Sequence, residues 1–450
     1  MNDSIRYYDV FPMVLRAGGE SVVRIRPRFT HAKFPAEADK IKVTAIPLEG
    51  RGRDGSYRAE DNDVLLGWEL EKDGTLAVRI FCSSEQEYNI TLELTEPFCR
   101  ESCEWALVPH AKLRFNVYAV ADDLYELRPF RGDIHLHTNL SDGREAPEYV
   151  AARYREIGMD FIAITDHYRH ATSVETIEYW SKLPIDLRLF PGEEVHTPEN
   201  PVHIVNFGGS YSVHAWARNN REQYKKEVEQ YMTKLPELPA GQDPFQVAAT
   251  ELVFDKIRES GGLALYCHPD WQMDRYMISE AVAATVLARR KFDAFELVSG
   301  YYPCDWKSNN LQLMRYFEEA MRGGTFPVVG VSDAHHVDGD ENDRLAGWFW
   351  TIVFAKSDSL TDLQQAIRAQ QCVAVEKVND GEPHVIGPMR IMRYAGYLLE
   401  NYFPRHDELC RLEGRLMIEY VAGSEGAEAA LKALQGQVAQ LRERMYCQPQ

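Results

Sequence analysis

Ten of the fourteen histidines of this 450-residue chain lie between His135 and His336, and seven of these ten have an Asp, a Glu or another His within two residues. In order the segments are GDIHLHTNLSDG (132–143), AITDH (163–167), PGEEVHT (191–197), HIVNFG (203–208), LYCHPDW (265–271) and GVSDAHH (330–336). Imidazoles and carboxylates without thiolates make a hard-to-borderline donor set that suits Zn, Mn or Fe. Neighbouring divalent ions bring a bridging water's pKa toward neutrality. They also hold the non-bridging oxygens of a phosphoryl group during in-line attack. Hydrolysis at a polynuclear metal site is therefore the chemistry these residues could perform together.

Residues so far apart in sequence need rigid mounts. Each segment is an apolar, β-branched or aromatic run that stops at a metal-competent side chain, as expected where buried strands deliver ligands to one rim of a barrel or sheet. His135 and His137 are two apart, so on a strand both imidazoles face one way. The candidate strands are 133–137, 161–165, 188–194, 202–207, 263–267, 294–298 and 327–332. Amphipathic segments 148–157 and 247–259, each closed by glycine, alternate with them, which predicts β/α organisation around a parallel sheet. Seven strands suggest a barrel. Residues 210–246 read as an insertion over its rim, and 347–356 with 361–376 as a strand, a helix and a strand that complete the unit.

Upstream, residues 20–120 alternate with period two, as in Tyr88, Ile90, Leu92, Leu94 and in Leu113, Phe115, Val117, Ala119. With a hairpin signal at Asp73-Gly74, this predicts an antiparallel β-sandwich without a catalytic cluster. The charged stretch 121–132 marks a boundary, giving a sandwich at 1–128, a catalytic unit at 129–380 and a helical extension at 381–450. In that extension Ala427, Leu431, Leu434, Val438, Leu441 and Met445 form a short heptad stripe. It either packs on the body, the favoured reading, or pairs with another subunit.

The formal charge of −19 disfavours a nucleic-acid partner, which needs a basic surface; a small phosphorylated substrate fits better. The start of the chain lacks a secretory pattern and no run approaches a membrane span, so a cytoplasmic protein is expected. Eight scattered cysteines agree with a reducing compartment. Cys99, Cys103 and His110 make a weak zinc-knuckle pattern that lacks a fourth ligand.

The ordered motifs HLHTNLSDG, AITDH, PGEEV, CHPDW and GVSDAH resemble the PHP family, the metal-dependent phosphoesterases named from polymerase and histidinol phosphatase members, over about residues 131–376. The resemblance implies an α/β fold with a distorted seven-stranded β/α barrel and three divalent ions at its C-terminal rim. His135, His137, Glu194 and Asp333 would hold the first ion. The second would share Glu194 and add His203 and His268. Asp142, His167 and His335 would hold the third. Asp142, His167, Glu194, His268 and Asp333 would carry catalysis.

Two assignments stay open at this level. Only one of the adjacent Glu193 and Glu194 can point inward, and the family spacing favours Glu194. His196 competes with His203, which is favoured because HIVNFG matches the family's histidine before a glycine turn; His196 would then be a proton donor or a supporting residue. Arg144, Arg169 and Arg275, and less so Lys307 and Arg344, are candidate phosphate clamps. Trp271, Tyr301, Tyr302 and Trp306 are candidate walls for a ring or sugar. Cys267 should point away from the ions. The resulting expectation is a phosphoesterase acting on a small phosphomonoester. Its rivals are a metal-dependent hydrolase of the amidohydrolase kind and a silent barrel whose sandwich binds a partner.

Overall fold

The computed structural model describes residues 4–49, 64–94, 112–238, 242–272, 275–300, 306–339, 346–379 and 381–446. Its contacts divide the chain into two units. The first holds Met1–Leu127, Arg393–His406 and Gln437–Gln450, and the second Arg128–Met392 and Asp407–Gly436.

The first unit contains strands β1 (Tyr8–Phe11), β2 (Val14–Arg16), β3 (Gly19–Pro27), β4 (Ile41–Pro47), β5 (Leu65–Leu70), β6 (Leu76–Cys82), β7 (Gln86–Leu94) and β8 (Lys112–Val120). They form two four-stranded sheets, ordered β1-β3-β6-β5 and β2-β8-β7-β4. The alternating apolar residues of β7 and β8 all point into one core shared with β3, β4 and β6, because burying one face of each strand is what period two permits. Asp73 and Gly74 do turn the chain between β5 and β6, with Gly74 at φ 86° and the Asp73 carboxylate accepting from Thr75 N at 2.9 Å. One pair departs from the antiparallel expectation: β2 runs parallel to β8. The helix Met389–Asn401 adds buried Tyr394 and Leu398 to this unit.

The tail is not one helix. Ala427–Leu434 and Gln437–Arg444 are separate, because Gly436 lies at φ 76° and breaks the run. Ala427, Leu431, Val438 and Met445 of the expected stripe are buried within the chain itself.

The second unit is α/β. Its strands are β9 (Arg128–Asp133), β10 (Phe161–Ala163), β11 (Arg188–Phe190), β12 (Gly192–Thr197), β13 (Asn200–Phe207), β14 (Leu263–Tyr266), β15 (Ala294–Val298), β16 (Val328–Gly330), β17 (Phe349–Ala355), β18 (Cys372–Glu376) and β19 (His384–Ile386). One sheet is ordered β11-β10-β9-β17-β18-β19 and the other β12-β13-β14-β15-β16.

Three expectations need correction. The sheets are mixed, not parallel: β12–β13 and β13–β14 are antiparallel, because only Pro198 and Glu199 join β12 to β13 and a parallel crossover needs far more chain. The expected strand 188–194 is two strands in different sheets. Pro191, which has no N–H to donate, separates them, and Gly192 passes so close to the Ile164 carbonyl that a Cβ there would sit 2.7 Å from it. Finally, His135 and His137 lie beyond the end of β9, in an extended stretch.

That stretch is nonetheless pinned on both sides. Asp333 N donates to His135 O and His137 N to Ala334 O, at 2.8 and 2.9 Å, while Thr165 N donates to Leu136 O and Glu194 N to Thr165 O, both at 2.9 Å. Isolated parallel bridges join Leu136 to Ala334 and His167 to Glu194. Phe130, Phe161, Val205, Phe207, Leu263, Leu265, Val329 and Val353 fill the core of this unit. The helices Pro147–Glu156 and Pro244–Glu259 occupy the two expected amphipathic segments. Within 210–246, Val213–Asn219 and Arg221–Met232 pack against Pro244–Glu259 through Ala217, Tyr224, Val228, Ala248 and Leu252.

Candidate metal centre

Strands β12 and β13, which carry Glu194 and His203, and the segments that follow other strands bring all nine expected ligands into one cluster. Its centre is Glu194, a fully buried carboxylate ringed by imidazoles. Oε2 stands 3.3 Å from His135 Nε2, 3.4 Å from His137 Nε2 and 2.9 Å from His167 Nδ1; Oε1 stands 2.8 Å from His203 Nδ1 and 3.4 Å from His268 Nε2. Asp333 Oδ1 lies 3.2 Å from His135 Nε2 and 2.9 Å from His137 Nε2. At the open side Asp142 Oδ2 lies 3.3 Å from His167 Nε2 and 3.4 Å from His335 Nε2.

The donor atoms fall into groups whose members lie within 4.8 Å of one another: His135, His137, Glu194 and Asp333; Glu194, His203 and His268; His137, Asp142, His167 and His335; His135, His268 and Glu296; and His167, Glu194 and His196. Two ligands bound at about 2.0–2.2 Å to one ion stand roughly 3–3.6 Å apart, which matches these separations. Both oxygens of Glu194, His135 Nε2, His137 Nδ1 and His203 Nδ1 are buried without a hydrogen bond. Burying such atoms unpaired costs free energy that a cation would recover, so the residues present fit bound divalent ions. His268 and Asp333 also adopt positive φ, 25° and 48°, a strain concentrated at functional sites.

At the two open choices, His167, Glu194 and His196 also form a metal-capable group. Glu193 turns away, accepting from Ser212 Oγ and Val213 N, both at 2.6 Å. His196 sits beside the cluster, 3.9 Å from Glu194 and 2.8 Å from His167 Nδ1, whereas His203 is the nearer to Glu194. His170 and His214 are occupied elsewhere, donating to the Gly209 and His196 carbonyls.

Charge is tightly coupled here. Burial disfavours the Glu194 carboxylate, yet His203, His135 and His167 hold its pKa well below the usual range. Burial likewise opposes protonation of His167 and His335, but Glu194 and Asp142 push His167 up to about 11, and Asp142 and Asp333 push His335 up to about 9. For His203 burial prevails and lowers the pKa to about 4.

Three supporting acids escaped the sequence reading. Glu296, fully buried on β15, meets His135 Nδ1 at 2.8 Å. Asp166 accepts from Thr138 N and Oγ1, both at 2.6 Å, and from Ser141 Oγ at 2.8 Å, tying the HLHTNLSD loop to AITDH. Asp133 accepts from His135 N and Ser332 N; burial pushes its pKa up to about 7 against those bonds. A lone acid inside an apolar strand, as in AFELV, was the available signal for Glu296.

A cleft of about 720 Å³ opens on the cluster, lined by Asp142, His167, His196 and His203 together with Tyr168, Arg169, Trp271, Leu140, Pro201 and Met277. Of the three arginine clamps, Arg169 lines it. Arg144 turns instead to the Asp338 carbonyl, and Arg275, Lys307 and Trp306 are exposed away from the lining. Cys267 is a buried thiol whose pKa burial raises well above its usual value. Cys99, Cys103, His110, Tyr301, Tyr302 and Arg344 lie outside the described residues. No described helix is long and apolar enough to cross a membrane.

No family model matches the chain. The 5'-3' exoribonucleases Rnm of Escherichia coli (strain K12) and Salmonella typhimurium are each 37% identical over 75 residues, 16% of this chain. The match spans about a quarter of these relatives' length, 26%. Among solved structures, its neighbours include PHP-like phosphoesterases. One is a two-domain protein containing a predicted PHP-like metal-dependent phosphoesterase from Bacteroides vulgatus, 20% identical, covering 55% of this chain and 65% of that one at a TM-score of 0.35. An amidohydrolase from Chromobacterium violaceum is 16% identical, covering 47% of this chain and 89% of that one at a TM-score of 0.31.

Proposed function

We propose that this chain is a PHP-type metal-dependent phosphoesterase that hydrolyses a small phosphomonoester at a three-ion site. The observation that carries it is Glu194: a buried carboxylate with both oxygens unbonded and five imidazoles around it suits a bridge between ions better than any other role. Under this reading β9, β10 and β12–β16 form a distorted seven-stranded barrel, a view supported by the Leu136–Ala334 and His167–Glu194 bridges. The two sheets of the first unit are then an accessory sandwich.

His135, His137, Glu194 and Asp333 would hold the first ion, Glu194, His203 and His268 the second, and Asp142, His167 and His335 the third. Bound divalent ions supply Lewis acidity, which ionises a water nucleophile near neutral pH and neutralises phosphoryl charge. The chain's own residues do the rest. Arg169 is placed at the cleft to meet a phosphoryl oxygen, and His196, hydrogen-bonded to His167, is placed to pass a proton to the leaving oxygen. A cleft with one arginine or lysine among its described lining residues, on a chain of charge −19, favours a small substrate over a nucleic acid.

The test is metal analysis of protein purified without chelator, followed by turnover of phosphomonoesters, diesters and amides by that same sample. Bound Zn, Mn or Fe with phosphomonoester turnover, abolished in Asp142→Ala, is expected. Amide turnover alone would favour the amidohydrolase chemistry, and stoichiometric metal without any turnover would refute the hydrolase reading.

A further inference from the structure

One wall of the cleft is a run of rings. Tyr168, His196, His203 and Trp271 follow one another with successive ring centroids 4.8, 4.1 and 6.0 Å apart, and all four line the cavity. The inner two belong to the metal cluster or touch it. Tyr168 and Trp271, at the two ends, have no place in that chemistry, yet they frame the space above it.

Tyr168 carries two independent signs of a role. It is 55% exposed, an uncommon setting for a tyrosine that contacts three imidazoles, those of His167, His196 and His214. Its backbone also lies at φ 62°, a left-handed conformation unfavourable for a bulky side chain. Arg290 shares such a φ as the cap of a helix, and Glu199 sits in the turn between β12 and β13. Tyr168 is the third residue of the turn Asp166–Arg169, closed by Arg169 N donating to Asp166 O at 3.3 Å, a position that usually takes glycine or asparagine. This turn follows His167 directly and sets the Tyr168 ring at the cleft.

The remaining lining agrees. Leu140, Pro201 and Met277 are apolar, Ser141 and Asp142 stand on the side of the metal cluster, and Arg169 is the one arginine or lysine among the described lining residues. Such walls suit a leaving group that is flat and carries little charge, while the phosphoryl group occupies the ion cluster.

Resting on the phosphoesterase reading, we propose that Tyr168 and Trp271 form a stacking platform that selects phosphomonoesters with a planar, aryl or heterocyclic leaving group. Aromatic faces discriminate planar rings from saturated rings of similar size through ring–ring geometry, beyond the apolar area buried.

Benzyl phosphate and cyclohexylmethyl phosphate separate the two effects, since both release a primary alcohol and the saturated ring is the more hydrophobic. The metal-loaded full chain should turn over benzyl phosphate with about tenfold higher kcat/KM, mainly through KM. Tyr168→Ala and Trp271→Ala should each erode that ratio several-fold at unchanged metal content, and Tyr168→Phe should preserve it. Calorimetric binding of benzylphosphonate and cyclohexylmethylphosphonate supplies a readout free of turnover, with the benzyl compound binding more tightly. Equal kcat/KM for the two esters, or a ratio insensitive to both alanine variants, overturns the platform. If neither ester is hydrolysed, the phosphoesterase reading is the part that falls, and the phosphonate pair still decides whether the platform exists.

Discussion

An imidazole can offer a lone pair to an ion from one nitrogen only if its proton is kept on the other. Glu296 does this for His135: a carboxylate can only accept at that distance, so the proton stays on Nδ1 and Nε2 is left facing Glu194 and Asp333. Glu296→Ala should therefore weaken binding of one ion by ~10–100-fold, read as metal stoichiometry after dialysis against a weak chelator. Glu296→Gln, which can still accept through its carbonyl oxygen, should lose less. Full metal occupancy in the alanine variant would remove this role.

Protonation gives a second prediction at the same scale. In the metal-free protein His167 and His335 titrate near 11 and 9, above the ordinary value of about 6.5. The stability they contribute is present below about 6.5 and is lost as pH rises through 9 toward 11. Since ligating imidazoles must give up a proton, ion uptake at pH 7 should release protons, and affinity should climb across that window. Titration calorimetry in buffers of different ionisation enthalpy measures the release; heats independent of the buffer would contradict it.

Elements hold these residues through a few buried contacts. Arg155, on helix Pro147–Glu156, is fully buried and pairs with Glu413 of helix Phe403–Val421, whose carboxylate also accepts from Asp186 N at 2.8 Å. Removing Glu413 leaves Arg155, in a low-dielectric interior, with the more distant buried carboxylate of Asp160, 3.7 Å away. Glu413→Ala should cost ~3–5 kcal/mol, seen as a lower urea midpoint at unchanged slope. A midpoint matching the wild type would show that Arg155 finds another partner. The helices Pro147–Glu156 and Pro244–Glu259 were legible as amphipathic patterns closed by glycine, whereas Phe403–Val421 was legible only as part of a helical tail. The strand expected at 188–194 runs across the split at Pro191 although Pro191-Gly192 is a chain-breaking pair, and periodicity carries no information about which sheet a strand joins.

For the molecule as a whole, the clustering of histidines and carboxylates was readable from residue type and order, whereas the particular set Asp142, His167, His203, His268, Asp333 and His335 came from the family resemblance; the structure brings these residues together. Pairing direction was not readable: nothing in HTPENPVH announces an antiparallel return except the shortness of its turn. The stripe from Ala427 to Met445 is mostly buried within the chain, as its apolar spacing favoured, but the break inside it was not readable. Apolar spacing alone is blind to a glycine at φ 76°, which ends one helix and starts another.

The route of the chain has a consequence for anyone who would cut it. After residue 392 it leaves the catalytic unit, returns at Asp407, and leaves again after Gly436, so each unit is assembled from stretches that interrupt the other. A truncation placed anywhere after 392 and before 413 would take away the carboxylate that neutralises Arg155, and a fusion or domain swap joined at one point would carry off part of its neighbour's interior. The unit that holds the histidine cluster is not a single contiguous stretch of sequence.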